Sequence, residues 1–106
     1  MMTYNDFEQC LVNRTLGMLS GKWKAVILKH LANHGETRFI DLWRAFPRVS
    51  KKVMLEQLRQ LKEDGFLERK EYHEFPPIVS YCLTAKGISI LPILSSIDEW
   101  ASKNLL

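Results

Sequence analysis

The side chains with chemical reach fall into three groups, and spacing separates them. The first is basic and polar: Arg48, Ser50, Lys51, Lys52, Glu56 and Arg59 crowd into one short stretch. Cationic, hydroxyl and carboxyl groups gathered this way can grip phosphate and meet base edges. The second is His30 and His34, four apart and so on one face of a helix, a spacing that can hold zinc. Leu31 and Ala32 follow His30, where a metalloprotease signature would place its glutamate, and no third ligand is near, so no metal is expected. The third is thiol, and Cys10 and Cys82 are too few for a disulfide framework. Cys10 reads as a small residue in a first helical turn and Cys82 as packing in a strand. The sequence has no glycine-rich phosphate loop and no assembled nucleophile, acid and base. Neither an enzyme nor a cofactor is expected.

The first group needs a helix to aim it. Ser50 can accept a hydrogen bond from an unpaired amide at a helix start, and an amphipathic run continues from it to Asp64. Met54, Leu58 and Leu61 fall on one face with Leu55 at its edge, and Lys52, Glu56, Arg59, Gln60 and Glu63 fall on the other. Gly65 stops the helix. Leu67–Glu74 and Ile78–Thr84 are strand-like and flank Phe75-Pro76-Pro77, which belongs in a hairpin loop because prolines cannot sit inside a paired strand. Upstream, Ile40–Phe46 reads as a helix with Leu42, Trp43 and Phe46 on its buried side. Pro47 ends it, and Arg48-Val49 turn the chain into the Ser50 helix. The expected fold is mainly α with a small β-hairpin wing, a winged helix-turn-helix whose second helix can enter a major groove of double-stranded DNA.

Other segments complete the core. Val12, Leu16 and Leu19 mark a helix over Leu11–Leu19, which Gly21 ends. A second helix starts near Lys22, carries Trp23, Val26, Ile27, Leu28 and Leu31 as a broad apolar stripe, and stops at Asn33-His34-Gly35. Arg38 and Phe39 suggest a very short strand, and Met1–Glu8 an arm or loose first turn. Along the last strand Val79, Tyr81 and Leu83 alternate with Ser80, Cys82 and Thr84, so one face should be buried and the other open. Pro92 should kink or split the final helical run, Ile88–Lys103. Its apolar residues Ile90, Ile93, Leu94, Ile97 and Trp100 are expected to be covered by a second copy of the chain, with Leu11–Leu19 contributing. The competing expectation is packing on its own core.

With 106 residues, 46% of them hydrophobic, the chain has room for one domain, residues 1–106. Its wing covers about 67–84 and its dimerisation helix about 85–104. The net charge of +3 says little, but its placement says more. From Arg38 to Lys70 nine basic residues stand against five acidic ones, while the remainder holds six against seven. A local excess is the electrostatic footprint of phosphate contact. No apolar run approaches the ~18 residues of a membrane span, and no signal peptide is read. A cytoplasmic protein with reduced thiols and no membrane partner is expected.

The chain resembles the HxlR-type regulators, a bacterial branch of winged-helix transcription factors near the MarR-like group. The resemblance runs from Cys10 to about Trp100. It is carried by Cys10 with Arg14-Thr15-Leu16, Gly21-Lys22-Trp23, Arg38-Phe39, Pro47, Ser50, Lys52-Val53 and Leu58-Arg59. It continues through Glu63-Asp64-Gly65, Glu68-Arg69, Pro76-Pro77, Tyr81, Leu83-Thr84, Gly87 and Trp100. It implies a homodimer joined through terminal helices, one wing per subunit, acting on transcription, most often as a repressor. It also implies a redox-sensing role for Cys10, since members use a cysteine at this place. A two-fold protein would read a pseudo-palindromic operator; the small-molecule effector, if one exists, is unknown from sequence. The alternative is a winged helix used for protein–protein contact. The chain departs from the family pattern at Leu11 for proline, at Leu55 and Glu56 for polar residues on the recognition helix, and at Ile78 for a basic residue. Glu56 could accept from a cytosine amino group or repel phosphate, and the wing would use His73 or its backbone in the minor groove.

Overall fold

The computed structural model describes residues 10–106, so the expectation for Met1–Glu8 lies outside the described residues. Among the described residues the chain forms α1 (Leu11–Leu19), α2 (Lys24–His34), β1 (Thr37–Arg38), α3 (Phe39–Arg44), α4 (Lys51–Glu63), β2 (Leu67–Tyr72), β3 (Ile78–Leu83) and α5 (Ala85–Asn104). The three strands make one antiparallel sheet in the order β1-β3-β2, with Leu67 opposite Leu83 and Tyr72 opposite Ile78.

The buried cluster gathers Ile27, Leu28 and Leu31 of α2, Leu42 of α3, Met54, Leu58 and Leu61 of α4, and Phe66, Tyr81, Ile90 and Leu94 beyond them. The three apolar residues expected on the inner face of α4 are fully buried, which points the opposite face outward. On α2 the buried stripe is narrower than its apolar residues suggest. Val26 is exposed while Lys24 is buried, because Val26 lies ~200° around the helix from Leu28 and the Lys24, Leu28, Leu31 line faces inward. Lys24 therefore buries a long stem rather than an apolar side chain.

Two further expectations are corrected. Ser80, assigned to the open face of β3, is buried. β1 pairs on the far side of β3, with Arg38 opposite Ser80, and makes β3 the central strand. Pro92 does not split the final helix, which runs unbroken from Ala85 to Asn104. A proline removes the bond to the carbonyl one turn before it; here that is Ile88, a residue exposed like Pro92 itself.

The joint between α4 and α5 is tight. The Thr84 amide donates to Phe66 O at 3.1 Å, and its hydroxyl donates to Gly65 O while accepting from the Gly87 amide. Lys86 Nζ donates to the carbonyl of Asp64, the residue that caps the C-terminal end of α4. Gly87 passes so close that a Cβ there would stand 2.2 Å from Phe66 O.

Candidate nucleic-acid interface

The turn from α3 to α4 is held by its own residues. The Val49 amide donates to Phe46 O at 3.0 Å, and Trp43 Nε1–H donates to Val49 O at 2.8 Å. Val49 itself is buried. Ser50 then caps α4, its hydroxyl accepting from the Val53 amide at 3.1 Å. The start of α4 is thereby tied to the end of α3 by the chain's own bonds.

Lys51 and Lys52 occupy the first turn of that helix, both exposed, and that turn itself contains no acidic residue. Cations at a helix N-terminus oppose the macrodipole and cost up to ~1 kcal/mol each at the surface. The same end, with its free N–H groups, attracts phosphate. Placing two lysines there works against the helix alone and in favour of an anionic partner. Among the described residues neither they nor the exposed Arg48 has an ion-pair partner.

Lys51, Lys52, Leu55, Glu56 and Arg59 line one shallow depression on the outer face of α4. Arg59 is exposed, as its position requires, but its guanidinium is occupied. Nε donates to Glu56 Oε2 at 2.9 Å, Nη2 to Glu56 Oε1 at 2.5 Å, and Nη1 to Glu63 Oε1. Gln60 Nε2 adds a bond to Glu56 Oε1 at 2.9 Å. The hydrogen bonds from Arg59, then that from Gln60, hold the Glu56 carboxyl at about 2, far below the usual carboxylate range, and Glu56 and Glu63 push Arg59 upward in turn. Leu55, read from sequence at the edge of the apolar face and as a departure from the family pattern, is half-exposed on this face, though it was not among the candidate site residues. Its place three residues after Lys52 and four before Arg59 was the available signal.

The wing is anchored from outside itself. Glu36, between α2 and β1, accepts from Tyr72 Oη at 2.7 Å and Ser80 Oγ at 2.9 Å, and pairs with Lys70 Nζ at 3.2 Å. Tyr72 first, then Ser80 and Lys70, keep its carboxyl below the ordinary value. Arg69 pairs with Glu71 at 3.2 Å. The cations on the strand are thus engaged within the chain, leaving exposed His73 in the loop beside Phe75, which is fully exposed.

Not every candidate joins this surface. Cys10 stands just ahead of α1, half-buried and unpaired, and does not line the α4 depression. Cys82 lies on β3, where burial pushes its thiol up. His30 and His34 stack with ring centroids 4.1 Å apart, and His34 Nδ1 lies 2.9 Å from the His30 carbonyl, which accepts from it. Among the described residues no three His, Cys, Asp or Glu side chains are grouped to hold a metal. Nor, among them, is any helix long and apolar enough to cross a membrane. A separate apolar groove runs between Leu11, Val12, Leu16 and Leu19 of α1 and Ile93 and Ile97 of α5.

The profile of the HxlR-like helix-turn-helix family matches residues 18–106. The chain belongs to that family. Its helix-turn-helix is therefore that of a transcriptional regulator, and the chain is not an enzyme. Among curated relatives it is 36% identical to the uncharacterized HTH-type transcriptional regulator YdeP of Bacillus subtilis, covering 93% of this chain and 77% of the relative. It is 43% identical to the uncharacterized HTH-type transcriptional regulator BH0655 of Halalkalibacterium halodurans, covering 85% and 80%. Among solved structures, the redox regulator HypR in its reduced form superposes with a TM-score of 0.83 at 36% identity, covering 90% of this chain and 93% of that one. The reduced form of the transcriptional regulator YodB from B. subtilis gives 0.80 at 27% identity, covering 90% and 93%.

Proposed function

We propose that the chain is a cytoplasmic, dimeric, sequence-specific DNA-binding regulator, most simply a repressor, folded as one domain over residues 1–106. The reading is carried by the two exposed lysines in the Ser50-capped first turn of α4, which have no ion-pair partner among the described residues. They meet backbone phosphate, with Arg48 beside them in the turn. Glu56 and Arg59 stand over base edges in the major groove, and Leu55 supplies an apolar surface of the kind that meets a thymine methyl. His73 reaches the minor groove from the wing. The dimer closes over the groove between α1 and α5, where Ile93, Ile97 and Trp100 are exposed while Ile90 and Leu94 pack on the chain's own core. A two-fold dimer reads a pseudo-palindrome with half-site centres roughly one helical turn apart. Cys10, ahead of α1, is the candidate redox sensor, a reading supported by the likeness to HypR.

A salt titration on random-sequence duplex tests the core of this. Affinity should fall steeply with salt, and Lys52→Ala should lower the slope by about one without changing the fold. Salt-independent or absent binding would refute the reading.

A further inference from the structure

On α4 the exposed lysines stand at the two ends, Lys51 and Lys52 in the first turn and Lys62 in the last. Lys51 and Lys52 open the helix, but beyond them Glu56, Arg59 and Glu63 form a closed group in which two carboxylates surround one guanidinium. Glu56 takes Arg59 in a two-point fork through Nε and Nη2, and Glu63 takes Nη1. Three of the five donors of the guanidinium are satisfied before DNA arrives, and the group carries a net negative charge at neutral pH.

We infer that Glu56 and Glu63 are a specificity filter that holds Arg59 away from backbone phosphate and yields it only to a base edge that matches its fork. This rests on the reading of α4 as the DNA-contacting helix. A phosphodiester approaching Arg59 brings a negative charge toward two carboxylates, so the attraction of one cation is offset by two repulsions. The guanine edge is different: O6 and N7 accept in the same two-point geometry that Glu56 uses and bring no net charge. The carboxylates therefore cost more against phosphate than against guanine. The N-terminal lysines, outside the group, keep the non-specific grip, while the middle of the helix discriminates. Gln60 steadies the arrangement by donating to Glu56 from the adjacent turn. The group lies on an exposed face and away from the core, so charge can be removed there without disturbing packing.

The experiment uses the full chain and two duplexes, one of random sequence and one selected from a random pool by the wild type. Glu56→Gln with Glu63→Gln should raise affinity for the random duplex by about tenfold and steepen its salt slope by about one, the signature of one more phosphate contact. Affinity for the selected duplex should rise less, so the ratio between them should shrink. Adding Arg59→Gln to that pair should abolish the gain, because the gain comes from the released guanidinium. Unchanged or weaker random-duplex binding in the double variant overturns the filter. A gain that survives loss of Arg59 overturns it as well, since the carboxylates would then act through general charge alone. A wild type that binds neither duplex removes the DNA-binding reading and the filter with it. If the wild type binds and Lys52→Ala weakens it while the double variant gains nothing, the filter alone fails.

Discussion

Tyr72 at the end of β2 donates its hydroxyl to Glu36 Oε2 across 2.7 Å, joining the wing to the corner between α2 and β1. Glu36 has its carboxyl lowered by this bond, and Lys70 and Tyr72 are both raised by Glu36. The signs define a window. A lowered carboxyl contributes stability above its unfolded pKa and loses it as pH falls through the folded one; the raised tyrosine and lysine contribute below their unfolded values and lose it as pH rises through their folded ones. The wing should therefore be best anchored from roughly pH 5 to roughly pH 9.5. Tyr72→Phe removes the largest cause, so the Glu36 carboxyl should titrate at higher pH by NMR and wing amides should exchange faster. An unmoved Glu36 titration would mean the bond does not persist in solution.

Gly87 should tolerate no side chain. Phe66 O lies 2.2 Å from where a Cβ would stand, and backbone cannot swing aside as a flexible side chain can. Gly87→Ala should destabilise by about 1–3 kcal/mol, the usual range for overpacking, read as a lower urea midpoint at unchanged m-value. A midpoint equal to the wild type's would show that the joint can widen.

For the dimer, Ile97 is the informative position because it is half-exposed in the single chain. Ile97→Asp should leave the fold intact by circular dichroism and halve the mass measured by sedimentation at micromolar concentration. A wild type that is already monomeric there rules out the proposed interface.

Between the thiols, Cys10 should react faster with an electrophile than Cys82. Burial holds Cys82 toward its neutral form, and the thiolate is what reacts. If Cys10 also senses oxidants, mild oxidation should change DNA affinity in the wild type and not in Cys10→Ser. An identical response in both proteins would end that role for Cys10.

Short-range pattern made much of this fold legible. The Leu11–Leu19 helix, the Ser50 cap and the buried line of Met54, Leu58 and Leu61 each depend on residues within a turn or two of one another, and each stands where periodicity put it. What escaped depends on contacts across the chain. The burial of Ser80 needed β1 to pair beyond β3, and the Glu36 anchor joins residues 36 and 44 positions apart. Of the two outcomes expected at Pro92, a kink or a split, the split does not occur, since one helix spans Ala85–Asn104. For the candidate interface, spacing located Lys52, Glu56 and Arg59 on one face. It could not say that Glu56 and Glu63 grip Arg59, because both neighbours at helical spacing compete for one guanidinium and only rotamers decide the outcome.

The joint of Thr84 and Lys86 with the end of α4 makes a lever of the recognition helix. Its fulcrum sits at Asp64 and Gly65, and Lys52 lies twelve residues away, about 18 Å along the axis. A tilt of only about 5° at that fulcrum swings Lys52 by roughly 1.5 Å, half the length of a hydrogen bond. In the proposed dimer α5 is both the handle of this lever and the surface shared with the second subunit. Small changes in how two α5 helices lie together would then be delivered, magnified, to the end of α4 proposed to meet DNA.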